Sequence, residues 1–516
     1  MDAGVRITYL KASNPSLGQG LPYAGYMAFG SRIAISSGVP TLAVGSLTEA
    51  AGNGVDGDQR WGLGRGNCGD DNGAVYVFGE HGSTWVQDHY VLPLTGSSGA
   101  GFGEVAISAD GSTLVVGAPT DPSMAAGVGG DPLDYDLSRC MGASGAAWVF
   151  RRTPTSWEQE AYLKPPDPEI AKSFGASLAI SADGSTLAVG EFSDPSGAVG
   201  IDGNPRDTSA QGSGAVFVFT RTGSTWSQQA YIKASNTRQE TDLNAGDWFG
   251  AALALSADGS TLAVGAMRER SGGRGVDADQ TDQSAIGAGA VYVFRREGAR
   301  WAQTTYIKAT NADAGDGFGT AVALSADGAT LVVGAPSESS GARLVDGDQS
   351  DNGATGAGAV YVFTDTAGTW SQQAYVKASN TDSGDGFGWA VALSSDGTRL
   401  LVGAPNEGSC SRAIDGDQSD DTCRGAGAVY EYHFDGAAWS YFRYIKASNT
   451  ARQVAYDAGA GSNPMPAAFG WSVATDGVRL VVGAPFEDSA ACCIDGDQND
   501  HRYPNAGAVY VYEFEP

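Results

Sequence analysis

A Phe-Gly pair recurs seven times in a regular register along the chain, its glycines standing at positions 30, 103, 175, 250, 319, 388 and 470, with one further Phe-Gly, Phe78-Gly79, falling outside that register. The intervals run from 69 to 82 residues, a regularity that unrelated domains strung together do not produce. A tandem unit of that length is too thin to bury both of its faces alone, so neighbouring units must stack on one another. The 516 residues are therefore expected to form one body, residues 1–516, instead of three or four separate domains.

The fifth unit is the cleanest. After Phe318-Gly319, residues Ala321 to Pro336 read AVALSADGATLVVGAP; an acidic loop follows, then GAVYVF from Gly358 to Phe363, a short turn, and WSQQAYVKA from Trp370 to Ala378. AVALS alternates and meets Asp327-Gly328, a dipeptide suited to a tight hairpin turn, before the run Thr330 to Val333. The later two runs are β-branched and aromatic and supply a second hairpin. We name these strands A to D. No stretch of comparable length carries the 3.6-residue apolar period of a helix, so the chain is read as all-β.

The two ends complete one unit between them. The seventh unit stops at GAVYVYEFEP (Gly507 to Pro516), after a strand C, and the chain begins with ITYLKAS (Ile7 to Ser13), which matches a strand D without its Trp. The expected fold is a seven-bladed β-propeller with four antiparallel strands per blade, closed by the N-terminal strand completing blade 7, which removes the free edge of an open stack. The blades divide as 14–94, 95–165, 166–236, 237–311, 312–380, 381–449, and 450–516 plus 1–13.

Phe-Gly followed by Gly-Ala-Pro, intact at Gly117 to Pro119, Gly334 to Pro336, Gly403 to Pro405 and Gly483 to Pro485, resembles the FG-GAP repeats of the seven-bladed propeller of integrin α subunits. The resemblance covers essentially the whole chain. It implies a non-catalytic binding module of the cell surface, with ligand-contacting loops on the face where B–C and D–A connections meet.

Those B–C loops carry the most patterned polar residues. Blade 5 has Glu338, Asp346, Asp348 and Asp351; blade 6 has Glu407, Asp415, Asp417 and Asp420; blade 7 has Glu487, Asp495, Asp497 and Asp500; blade 4 has Glu269, Asp277, Asp279 and Asp282. Blade 1 keeps Glu49, Asp56 and Asp58, blade 3 keeps Asp194, Asp202 and Asp207, and blade 2 departs furthest, with Asp121 and a displaced Asp131. Alternate carboxylates around a glycine suit a hard cation: calcium takes about six to eight oxygens at roughly 2.3–2.6 Å, and seven long loops in a row need something to order them. Calcium at several of these loops is one expectation; turn chemistry and solubility are the other. Calcium-binding integrin repeats carry DxDxDGxxD in the A–B turn, whereas this chain has only Ser-Ala-Asp-Gly there, as at Ser325 to Gly328, so those sites do not transfer.

Further ligand candidates are Trp61, which has no counterpart in other blades, and the D–A loop acids Asp316, Asp382 and Asp385. The Trp that opens each other strand D, as at Trp370, is read as blade packing. His81, His89, His433 and His501 fall at unrelated positions and form no nucleophile or zinc pattern, and acids that recur in every blade do not make one distinctive catalytic constellation, so no enzyme is expected. A calcium-dependent propeller lectin is the alternative to a protein-binding adhesion module, with a hydrolase a distant third. The formal charge of −28 argues against a nucleic-acid partner, and no run of about 18 apolar residues exists to span a membrane. Six cysteines in B–C loops suit an oxidising compartment: Cys410 and Cys423 can staple the blade 6 loop, and Cys492 or Cys493 can reach Cys68 across the seam. Met1 runs at once into the closing strand, so the chain is read as a secreted or surface fragment without its signal peptide, a monomer or a module of a larger surface protein.

Overall fold

The computed structural model describes residues 4–13, 28–47, 54–56, 73–93, 100–134, 143–168, 172–238, 246–412, 414–450, 466–500 and 505–514. Among them twenty-eight strands, from β1 (Val5–Leu10) to β28 (Ala508–Phe514), make seven four-stranded antiparallel sheets and no helix. Each sheet runs A-B-C-D; in blade 5 these are Ala321–Leu324, Thr330–Ala335, Ala359–Thr366 and Thr369–Val376. Strand A of every blade packs on strand A of the next, and the seventh packs on the first, so the sheets form a closed propeller. No helix among the described residues is long and apolar enough to cross a membrane.

Both halves of the recurring motif do their work between blades. The FG glycine of one blade lies against the GAP glycine of the blade before it: a Cβ on Gly334 would overlap the carbonyl oxygen of Gly388, and one on Gly483 would overlap that of Gly30, which is the same contact across the ring closure. Phe318 is fully buried and packs edge-on to Tyr361 at 5.3 Å. Its backbone bridges Gly289, immediately before strand C of blade 4. The core is accordingly a series of inter-blade layers; one of them joins Val291, Val293 and Ile307 of blade 4 to Phe318, Leu331 and Tyr361 of blade 5. The strand D tryptophans are buried as well, and Trp301 and Trp439 each donate an indole N–H to a glutamine on strand D of the preceding blade, Gln229 at 2.9 Å and Gln373 at 3.0 Å.

The N-terminal strand closes blade 7 in register Val5↔Phe514 through Leu10↔Val509. In blade 5 the C–D pairing slips by one residue at Val362/Phe363, as it does in the other chain-contiguous blades, whereas the closing pair is continuous. Charges on the turn side reinforce the seam: Arg6 and Arg479 both pair with Glu513 of blade 7 and with Glu80 of blade 1.

Candidate functional site

In blades 2 to 7 the acid that opens the B–C loop is buried and paired within the fold. Glu338 accepts from Lys377 Nζ at 2.9 Å, from the Ser340 amide at 3.1 Å, and on its other oxygen from Asn311 Nδ2 at 3.0 Å. Lys377 directly follows strand D of the same blade, and Asn311 arrives from the preceding blade, its own carbonyl oxygen accepting from the Tyr361 hydroxyl of blade 5 at 2.5 Å. Blades 4, 6 and 7 repeat the pair as Lys308–Glu269, Lys446–Glu407 and Lys11–Glu487. Blades 2 and 3 keep it with the shorter acids Asp121 and Asp194. Burial pulls the lysine pKa down and the facing carboxylate opposes that, so a wholly enclosed ion pair sits at every one of these junctions.

The next acid of the loop faces outward and caps strand D. Asp346 accepts from the Tyr375 amide at 2.9 Å while its own amide donates to the Tyr375 carbonyl at 2.7 Å. Asp56, Asp202, Asp277, Asp415 and Asp495 do the same to Tyr90, Tyr231, Tyr306, Tyr444 and Tyr9. All six adopt positive φ, from 50° to 56°. The loop thereby covers the outer sheet edge, which would otherwise offer unpaired backbone to another chain. Asp279, Asp348 and Asp417 are exposed and turn back on the loop, each accepting from a hydroxyl two residues on, at Thr281, Ser350 and Ser419, which holds the carboxyl below its usual range. Asp497 likewise accepts from the Asn499 amide. Asp282, Asp351 and Asp420 accept from the amides of Ser284, Gly353 and Thr422. Asp500 presents its carbonyl to the Ala490 amide. Glu49, Asp58 and Trp61 lie outside the described residues.

This donor set does not fit a calcium ion as arranged. Among the described residues no three His, Cys, Asp or Glu side chains gather in a group that could hold a metal. The opening glutamate faces a lysine inside the fold and the following aspartates face separate backbone amides, so their oxygens do not share a centre.

The D–A acids differ in character. Asp316 and Asp385 are nearly buried, accept from the amides of Asp313 and Asp382, and are pushed up to about 7 by burial, with Glu338 and Glu407 respectively adding to the shift. Asp382 is exposed, and its carboxyl is raised by partial burial and by Asp421.

The most distinctive surface lies beside these loops, at the upper mouth of the central channel. The residues following the seven Phe-Gly pairs, Ser31, Glu104, Ala176, Ala251, Thr320, Trp389 and Trp471, all line one cavity of about 750 Å³. Trp389 and Trp471, on adjacent blades, have ring centroids 4.8 Å apart, and Trp471 packs edge-on to Phe486 at 5.5 Å. Trp389 is 37 % exposed, a large value for so apolar a ring. On blades 3 and 4, Arg268 lies 4.0 Å over Trp248, which packs on Phe192 at 5.2 Å. The sequence reading missed Trp248, Trp389 and Trp471. Their signal was present: each abuts a Phe-Gly pair, in a column that other repeats fill with smaller residues.

A second hollow of about 600 Å³ lies between blades 4 and 5 and is lined by Arg274, Thr310, Asp313, Gln349, Asn352 and Gln372, among others. The blade 6 loop is stapled by a Cys410–Cys423 disulfide, as the cysteine spacing suggested.

Compared with known proteins, residues 301–363 and 370–431 match the FG-GAP repeat family. No curated protein matches the chain. Among solved structures, a chain from one titled "Crystal Structure of Mitotic Checkpoint Complex" aligns over 99 % of this chain and 91 % of its own length, at 12 % identity and a TM-score of 0.46.

Proposed function

From a closed seven-bladed propeller that carries FG-GAP repeats, we propose that the chain is a non-catalytic binding module that takes a protein ligand at the upper mouth of its channel. The observation that carries this reading is the aromatic pair Trp389–Trp471 on the rim of the 750 Å³ cavity. Trp and Arg are the side chains that most often anchor interfaces, and a rigid ring holds them at little entropic cost. The Cys410–Cys423 disulfide supports residence outside the cell or on its surface. Calcium has no assigned part in recognition here, since the carboxylates are engaged elsewhere.

The test is a binding screen against surface proteins and a glycan panel, with Trp389→Ala and Trp471→Ala run beside the parent chain. A ligand that loses tenfold or more in affinity to both variants, with melting unchanged, supports the reading; a ligand indifferent to both sinks it. A lectin reading is favoured by one specific observation, the amide- and hydroxyl-lined hollow between blades 4 and 5. Glycan binding abolished by Gln349→Ala and untouched by Trp389→Ala would select it.

A further inference from the structure

The B–C loop of blade 7 carries Cys492 and Cys493 side by side, both exposed, with their sulfurs 2.7 Å apart. A disulfide bond is about 2.05 Å long, so the backbone brings the two sulfurs most of the way to bonding distance. That backbone is held from the other side by the closing strand. The Cys493 carbonyl accepts from the Lys11 amide at 2.7 Å, and Asp495, two residues on, exchanges hydrogen bonds with Tyr9 at 2.8 and 2.9 Å. Ile494 bridges Leu10. Cys493 is fixed at a φ of 73°, a conformation a non-glycine residue adopts only where its surroundings impose it. Two adjacent thiols are thus pinned against each other on an accessible loop.

We propose that Cys492 and Cys493 are a dithiol site that closes to a vicinal disulfide by exchange with a small-molecule disulfide of the glutathione type. The Cys492 thiolate attacks one sulfur of the oxidant and expels its first thiolate, leaving a mixed disulfide on Cys492. Cys493 gives up its proton to solvent and attacks the Cys492 sulfur, expelling the second thiolate. The protein loses two hydrogens and two electrons, and the oxidant becomes two thiols. Cys492 acts first because burial and the neighbouring sulfur push the Cys493 thiol up to about 11, leaving it protonated near neutrality. The second step is intramolecular, the attacking sulfur standing beside its target.

The experiment treats the full chain with glutathione disulfide and reads peptide masses after alkylation. The expected product is a peptide spanning both cysteines that is two hydrogens lighter, carries no adduct, and is alkylated at neither sulfur until reduced. Cys492→Ser should instead hold one stable glutathione on Cys493, and Cys68→Ser should leave the ring product unchanged. A stable glutathione on the parent dithiol, alkylation of both sulfurs after oxidation, or a peptide cross-linked to Cys68 or Cys140 would each overturn the proposal. Phenylarsine oxide gives an independent reading: the reduced chain should take up one equivalent on this peptide and Cys492→Ser none, whereas equal uptake by both contradicts a dithiol site.

Discussion

Glu338 joins two blades through three side chains, and its removal would strand Lys377 inside the fold without a counter-charge. Glu338→Ala should cost about 3–5 kcal/mol, measured by chemical denaturation, while the double change Glu338→Leu with Lys377→Met should recover most of it, because neither charge is then buried alone. The acid itself is visible in the sequence, where its pattern suits either a cation or turn chemistry; its partner lies 39 residues further on, a separation that only the fold closes. The Lys that follows strand D in six of the seven blades, replaced by Leu92 in blade 1, is the available clue. Asp385 is one of the D–A acids, with Asp316, that make stability depend on pH. Its folded carboxyl titrates at about 7, above the roughly 3.9 of an unfolded Asp, so its contribution is fully present below about pH 4 and is lost as pH rises through 7. Asp385→Asn should therefore flatten the melting profile across that window and raise the midpoint by roughly 1–3 °C above pH 7.

Strands and turns were legible because alternation, Asp-Gly pairs and β-branched runs are local signals, and the same signals set the blade count. What the long loops do was not legible, since Asp346 acts by capping Tyr375 on a strand it reaches only in the folded blade. In six of the blades an Asp of the pattern that suggests calcium lays its loop along an outer edge. Exhaustive treatment with a chelator should consequently leave the calorimetric midpoint of the parent chain unchanged; a fall of several degrees, reversed by added calcium, would show that the loops rearrange around an ion. The glycine contact between blades gives a sharper expectation. Gly334→Ala places a Cβ inside the Gly388 carbonyl, backbone against backbone, with no flexible side chain to give way. The loss should exceed about 4 kcal/mol, seen as little or no folded soluble protein on expression.

The ring as a whole depends on a strand whose partner lies at the other end of the chain, Val5 opposite Phe514. Closure was readable from the missing seventh strand D, but the channel rim was not, because a Trp in a variable column takes on meaning only when seven such columns meet around one axis. Removing residues 1–13 should leave strand C of blade 7 as an open edge, and size-exclusion chromatography with light scattering should then show larger species than the parent chain forms. The closing pair has a mechanical side as well. Val5 and Phe514 sit opposite each other at one end of an antiparallel ladder, so a pull on the two chain ends loads its hydrogen bonds one rung at a time, as a zipper, and never all together in shear. A tether attached at both ends would part this seam at low force while the other six blades stayed intact, making the closing strand a mechanical fuse in the ring.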